Sequence, residues 1–452
     1  MPEPEGTISL AAFGRWAAQI TGFSPEARRL AALAIADTLG CMMAGRDDPA
    51  VTALRTGLGY DPASEGRASP SMSALVNGTA AHALDFDDNF RPGRCHASAV
   101  LVPALLALAA EGNASGSNLI DAYIIGLEGQ AFVGRTLGNG HNLAGWHPTG
   151  TVAAIGAAAG AARLLRLPAG GIAAAMSNAT SMAAGLKVQF GTAMKPIHAG
   201  LAARAAVEAA LMATSGISGN PAALDHPAGF SALYGGAQGG NSIQPVGRPL
   251  AIESDGVVPK LYPCCGSTHY VLDMIYALRR VHGFSADHVL SVMATVGPAN
   301  YDNLPFNDPQ DAKQARFSMP YCVALALTQE RLALADFTDA AVARPEVRKY
   351  LPLTKMHRGS GMAPEHSHSV VIKLADGREL QDQCREVKGS LRQPFDLTET
   401  TGKFVSCLTH AGISATAAEA LYRRLLALDD IPAPVSHFFA ASFFKAPVPP
   451  KE

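Results

Sequence analysis

Four polar clusters interrupt the long apolar stretches of this sequence, and each carries residue types that move protons or hold anions. The first is His82-Ala83-Leu84-Asp85-Phe86-Asp87-Asp88-Asn89, followed by Arg91, Arg94 and His96. Three carboxylates within four positions repel one another unless cations, hydrogen bonds or protonation relieve them. Taken alone, the cluster fits a site that positions a base and binds substrate, a metal site built from His and Asp, or simple helix capping with solvated loop charge. The second, Gly145-Trp146-His147-Pro148-Thr149-Gly150, stands at the mouth of a nearly charge-free helix with Thr149 placed to cap it. His147 there meets a substrate carboxylate near the positive helix end, or packs as a loop histidine.

The third cluster is Met194-Lys195-Pro196-Ile197-His198-Ala199-Gly200, where an isolated Lys195 beside an Ala-rich helix either reaches water or meets an anion. The fourth is Lys260-Leu261-Tyr262-Pro263-Cys264-Cys265-Gly266-Ser267-Thr268-His269. Neighbouring cysteines do not easily share one tetrahedral metal, and a bridge between them is strained. With no second cysteine pair at zinc spacing, the simplest reading is a reduced, buried turn with Lys260 facing a cleft. Other signatures are missing: no G-x-G-x-x-G after a strand, no Walker loop, no G-x-S-x-G elbow and no H-E-x-x-H.

The elements that must position these residues are mostly helices. Ser24-Pro25-Glu26 reads as a Ser cap, Pro at the first helical position and an acid at the positive end, opening a helix through Leu39. Further helices are predicted over 71–84, 97–110, 118–137, 149–165, 169–184 and 198–214, rich in Ala and Gly and so closely packed. After about Lys260 the pattern changes. Val289–Val296 reads as a strand, and 369–374 with 379–387 reads as a hairpin about Ala375-Asp376-Gly377. Helices at 270–281 and 312–331 lie between, and the chain returns to helix at 400–408 and 414–428. The expectation is a mainly α protein: a large all-helical domain over 1–259 plus 397–452, with a smaller α+β lid domain inserted over 260–396. The Pro-rich end, 445–452, is expected to be a loosely held tail.

The chain of 452 residues exceeds what one compact core normally supports. Its 48% apolar content fills a large interior, and its 16% charged content is low enough to suggest a surface covered by a second subunit. Lys plus Arg at 36 against Asp plus Glu at 38 leaves no electrostatic footprint for nucleic acid. Apolar runs such as 152–162 are too short to span a bilayer. The opening Met1-Pro2-Glu3-Pro4-Glu5 lacks the basic and apolar regions of a secretory leader, and seven cysteines do not make a disulfide scaffold, so a cytoplasmic location is expected.

The four clusters in this order, with Ala299-Asn300-Tyr301, Ala315-Arg316-Phe317-Ser318 and Lys388-Gly389-Ser390, resemble the MmgE/PrpD family over nearly the whole chain. That family includes 2-methylcitrate dehydratase, cis-aconitate decarboxylase and iminodisuccinate epimerase. The resemblance implies a homodimer, an active site between the two domains, and chemistry with neither metal nor organic cofactor. It assigns Asp85, His96, His147 and Tyr301 to catalysis, and Asn89, Lys195, Lys260 and Cys265 to substrate binding. Three departures stand out. Asn89 occupies a position where Thr is common, Gly266 one where Arg is frequent, and Cys265 one where the decarboxylase-type pattern has His. The Cys265 departure speaks against cis-aconitate decarboxylation. The other two leave the substrate open.

Dehydration, decarboxylation and epimerisation of polycarboxylates all build charge at a carbon beside a carboxylate, which requires a placed base and fixed cations or donors. His147 and His96 suit proton transfer. Lys195 and Lys260 suit substrate carboxylates, and Asp85 suits orienting a histidine or holding its cationic form. Tyr301 suits donation to a leaving hydroxyl. The expected function is a hydro-lyase on a small hydroxy-polycarboxylate, with an epimerase, a decarboxylase or a catalytically silent carboxylate-binding dimer as alternatives.

Overall fold

The computed structural model describes residues 9–60, 69–235, 246–359 and 368–432. The predicted tail at 445–452 lies outside them. Helices dominate the first half: α1 Leu10–Gln19, α2 Pro25–Gly45, α3 Pro49–Gly57, α4 Pro70–Ala83, α5 Ala97–Glu111, α6 Gly116–Leu137, α7 Gly140–Leu143, α8 Val152–Leu164, α9 Ala169–Thr180 and α10 Met194–Thr214. The short α11 Phe230–Tyr234 and α12 Ala251–Ser254 follow. Ser24 caps α2 as predicted, its hydroxyl accepting from the Ala27 N–H at 2.9 Å. Small residues let these helices meet backbone to backbone. A Cβ added at Gly200 of α10 would fall 2.1 Å from the Leu75 carbonyl of α4, so only glycine permits that approach.

Beyond this region come α13 Gly266–His282, β1 Val289–Val296, α14 Pro298–Asp302, α15 Ala312–Ala315, α16 Met319–Thr328, α17 Asp339–Val342, α18 Pro345–Arg348, β2 Thr354–Arg358, β3 His368–Leu374 and β4 Glu379–Cys384. The four strands form one mixed sheet in the order β2-β1-β3-β4. β1 runs parallel to β2 and antiparallel to β3. The β3–β4 hairpin closes at Gly377, whose φ of +88° needs glycine at the turn. The single helix predicted over 312–331 is instead two. The Ser318 side chain caps α16 by accepting from Tyr321 N at 3.2 Å, and Pro320 in its first turn cannot continue an earlier helix. β2, with its lysine, histidine and arginine, carried no strand signal in the sequence.

The chain ends its described course in α19 Leu397–His410 and α20 Ala415–Leu426. Buried apolar side chains fall into two cores. One joins α1–α6 and α8–α12 with Phe404, Cys407, Tyr422 and Leu425 of these last two helices. The other spans Tyr262 to Leu380 and holds the sheet, α13 and α16. No helix among the described residues is long and apolar enough to cross a membrane.

Candidate active site

The first polar cluster forms the tight loop between α4 and α5, and Asp85 sits in it with φ +51°. A non-glycine residue pays strain in this left-handed region and stays there only when its surroundings fix it. Two ammonium groups do so. Lys195 Nζ, in the first turn of α10, donates to Asp85 Oδ1 at 2.6 Å. Lys260 Nζ donates to the same oxygen at 3.0 Å and to the Asp85 backbone carbonyl at 2.8 Å. Lys260 reaches this point because residues 89 and 258 exchange both backbone hydrogen bonds, each 2.9 Å, which ties its segment to the cluster loop. All three charged side chains are buried. Burial alone would push the Asp85 carboxyl up, but Lys195 and then Lys260 override it and hold the group well below the usual carboxylate range. Burial likewise pulls Lys260 down, and Asp85 more than restores it.

Imidazoles surround this ion cluster. His96 Nδ1 donates to the Asp88 carbonyl at 2.8 Å, and its Nε2 lies 3.9 Å from Asp85 Oδ1. The predicted cap residue Thr149 serves another purpose. α8 begins later, at Val152, and the Thr149 hydroxyl instead accepts from the His96 backbone N–H at 3.1 Å, joining the first and second clusters. His147 shares a hydrogen bond with His198, Nδ1 to Nδ1 at 3.0 Å, and meets the Phe190 ring edge-on at 4.9 Å. Burial, reinforced by Lys195, holds His147 well below its ordinary pKa, so at neutral pH it is an uncharged base. Burial lowers His96 in the same direction.

Sequence reasoning passed over His82, Asp87, Lys403 and Arg316 as site residues. His82 donates from Nδ1 to Asp87 Oδ2 at 2.8 Å, its ring 4.3 Å from that of His96, and its Nε2 has no partner. Burial takes it down to about 3, so this dyad is a neutral imidazole on a carboxylate. The string His82-Asp85-Asp87 in the sequence carries the signal, since residues 82 and 87 bracket one tight loop. Lys403 of α19 holds that loop from beneath, donating to the Phe86 carbonyl at 2.8 Å and pairing with Asp37 at 2.7 Å. No local motif at Lys403 announces this. Asp88, its Oδ2 without a partner, is pushed up to about 7 by burial.

Cys265 is buried at the start of α13, its backbone N–H donating to the Arg316 carbonyl at 2.9 Å. Burial and then Asp85 raise its thiol pKa, so it is an uncharged neighbour of the cluster. Asn89 is half-buried, and a Cβ on Gly266 would fall 2.6 Å from its Nδ2. The two departures noted at 89 and 266 are neighbours in space: a side chain at 266 would meet the amide end of Asn89, which would have to turn aside. Tyr301, half-buried on α14, packs against the second core rather than among the partners of Asp85. The structure therefore gathers Asp85, His96, Lys195, Lys260 and Cys265, sets His147 at their edge, and leaves Tyr301 outside the hydrogen-bonded cluster.

A small cavity of about 20 Å³ borders the cluster, lined by His82, Asp85 and Lys195 from the first core and by Arg316 and Phe317 from the second. Lys195 Nζ lies 4.9 Å from the centre of the Phe317 ring, a cation held against an aromatic face. Among the described residues, two groups have ligand atoms close enough for a metal ion: His82, His96 and His147, and His82, Asp85, Asp87 and His96. In the second, Asp85 is already neutralised by two ammonium groups, which a divalent ion would have to displace.

Neutral imidazoles and buried cations thus meet around Asp85, with His82, Asp85, Lys195 and Arg316 on one small cavity. Residues 11–241 match the MmgE/PrpD N-terminal domain and residues 262–427 the MmgE/PrpD C-terminal domain. The chain belongs to the MmgE/PrpD family. It is similar to the cis-aconitate decarboxylases of Mus musculus, 28% identical over 352 residues (75% of this chain, 72% of that protein), and Homo sapiens, 28% over 354 residues (75% and 72%). The cis-aconitate decarboxylase of Aspergillus terreus is 26% identical over 303 residues, 62% of this chain and 61% of that protein.

Proposed function

We propose that this protein is a cofactor-independent lyase acting on a small hydroxy-polycarboxylate by proton abstraction and loss of water, in the manner of 2-methylcitrate dehydratase. The observation that carries the reading is the meeting of two ammonium groups with uncharged imidazoles around the buried Asp85. In this reaction a base removes a proton from the carbon beside a carboxylate, the electron pair forms the alkene, and the C–O bond breaks. The departing hydroxyl takes a proton and leaves as water. His147 serves as the base, being uncharged at neutral pH, with His96 beside Asp85 as the second proton carrier. Lys195 faces the developing charge from the cavity wall. Tyr301 is the proposed proton donor to the leaving group, which requires α14 to approach the cluster. Because the Asp85 carboxylate is engaged by lysines, turnover is expected to persist after exhaustive chelation, and its loss with recovery on adding one divalent ion would overturn that part.

A second reading, decarboxylation of a cis-aconitate-like acid, is favoured by the similarity to cis-aconitate decarboxylases. The same cations and proton carriers would serve it, with carbon dioxide lost in place of water. The test is turnover of citrate, methylcitrate, cis-aconitate, tartrate and iminodisuccinate followed by NMR in heavy water. A new alkene with loss of hydroxyl supports the dehydratase. Carbon dioxide release with deuterium in the product supports the decarboxylase. Deuterated, racemised starting material would mean an epimerase, and saturable binding without turnover a silent binding protein.

A further inference from the structure

Lys195 and Lys260 share one carboxylate, whereas Arg316, which lines the same cavity as Lys195, forms no ion pair among the described residues. Arg316 is only 6% exposed, yet its side chain makes a single hydrogen bond, from Nη2 to the Phe337 carbonyl at a long 3.4 Å. Its Nε is buried without a partner. Less deeply buried arginines are better satisfied: Arg28 pairs with Asp121 and Asp429, Arg344 pairs with Asp336 at 2.9 Å, and Arg163 and Arg279 each donate to two backbone carbonyls. Asp48 and Asp85 border the same cavity as Arg316, but neither forms an ion pair with it among the described residues. A buried guanidinium without an anion is costly, and a protein keeps one where a ligand supplies the anion.

The backbone around Arg316 is fixed as a receptor requires. Its N–H donates to the Ala312 carbonyl at 3.3 Å, and its carbonyl accepts from the Cys265 N–H at 2.9 Å, so the residue is anchored to both α15 and the start of α13. Ser318 then caps α16. The neighbouring Phe317 carries Lys195 against its ring, so two cations from different cores flank one aromatic wall of the cavity.

We propose that Arg316 forms a carboxylate subsite on the second-core side of the cavity, receiving in its guanidinium fork a carboxylate of a substrate whose reacting carbon lies toward Asp85 and Lys195. This rests on the polycarboxylate reading above and adds the group that holds the end of the molecule remote from the chemistry. A planar guanidinium suits that task better than an ammonium, because it can grip both carboxylate oxygens and so fix orientation as well as charge.

The test uses the full chain and the unreactive tricarboxylate tricarballylate, with Kd measured by calorimetry and melting temperature measured without ligand. Arg316→Met should weaken binding by about 10- to 150-fold, the loss expected for a hydrogen bond to a charged group. Its ligand-free melting temperature should equal or exceed that of the wild type, because an unpaired buried charge has been removed. Arg316→Lys, which keeps charge without the fork, should fall between the two in affinity. A Kd for Arg316→Met within threefold of wild type overturns the subsite, as does a drop of several degrees in ligand-free melting, which marks a structural arginine. Wild type that turns over a polycarboxylate while Arg316→Met binds normally sinks the subsite and leaves the lyase reading intact. Wild type that binds tricarballylate through Arg316 but turns over none of the candidate acids sinks the lyase reading and leaves the subsite. Wild type that does neither sinks both.

Discussion

Replacing Asp85 by Asn removes the carboxylate that Lys195 and Lys260 share, and the structure allows the cost to be worked out. Lys195 Nζ at 2.6 Å and Lys260 Nζ at 3.0 Å lose an anion, while the amide oxygen still accepts a hydrogen bond. Breaking a buried ion pair by deleting one partner costs about 3–5 kcal/mol, and two stranded ammonium groups put Asp85→Asn near the upper end. Total stability of folded proteins is about 5–15 kcal/mol, so the variant should unfold at visibly lower urea. Adding Lys195→Met removes one stranded charge and should recover about 1–3 kcal/mol of the loss, a coupling read from the double-mutant cycle. The pH dependence follows from the sign of each shift. Asp85 has its folded pKa lowered, so its contribution is present above the unfolded value near 3.9 and is lost as pH falls through the folded value. Lys260 has its folded pKa raised, so its contribution is present below about 10.4 and is lost as pH rises through the folded value. Urea titrations at pH 3 and 7 test the acid limb, and a titration above about pH 11 tests the alkaline limb. An Asp85→Asn protein within 1 kcal/mol of wild type at pH 7 (a margin of about a fivefold change in the unfolding constant), or one indifferent to Lys195→Met, would refute the argument.

His147→Gln keeps a hydrogen-bonding group at His198 but removes proton transfer, so turnover should fall by about a hundred- to ten-thousand-fold with substrate affinity largely retained. Near-normal turnover would leave His96 as the proton carrier. Asp88→Asn should flatten the decline in stability between about pH 4 and 7, because a carboxyl raised to about 7 binds its proton more tightly folded than unfolded and so destabilises the fold as pH rises through that range. An unchanged slope in urea titrations across that range would count against the burial of Asp88. The exposed apolar residues Leu201, Leu211 and Met212 of α10 point to a dimer of this chain, and sedimentation at micromolar concentration should give twice the monomer mass. A monomer throughout would remove the expectation.

Much of the helical half was legible because its signals are local. Ser24-Pro25 and Ser318-Met319-Pro320 are start signals that depend on neighbours in the chain, although the second was overlooked and cost the break between α15 and α16. The β3–β4 hairpin was legible for the same reason, since an Asp-Gly turn selects its own backbone geometry. β2 was not, because its strand character comes from pairing beside β1 and not from its residues. Among site residues, those within recognisable strings were found. Lys403 was not, because its partners Asp37 and Phe86 are 366 and 317 positions away in the chain. Nor does spacing reveal that Asp85 faces lysines rather than a metal. That depends on α10 and the 257–260 segment converging on one loop.

The proximity of positions 89 and 266 bears on how the substrate is chosen. Each looked like an independent departure from the family pattern, but a larger residue at 266 would meet the Asn89 side chain. A family member with Arg at the equivalent of 266 has a cation there that this chain lacks. Here a buried cation on the cavity without an ion pair among the described residues is Arg316, whose carbonyl accepts from the N–H of Cys265, the residue immediately before Gly266. Under the proposed Arg316 subsite, a substrate gripped between Lys195 and Arg316 would present a different carbon to the proton carriers than one gripped near 266. On this argument a reaction cannot be transferred from relatives at 28% identity by their name alone, since the same proton carriers act on whichever carbon the cations bring to them.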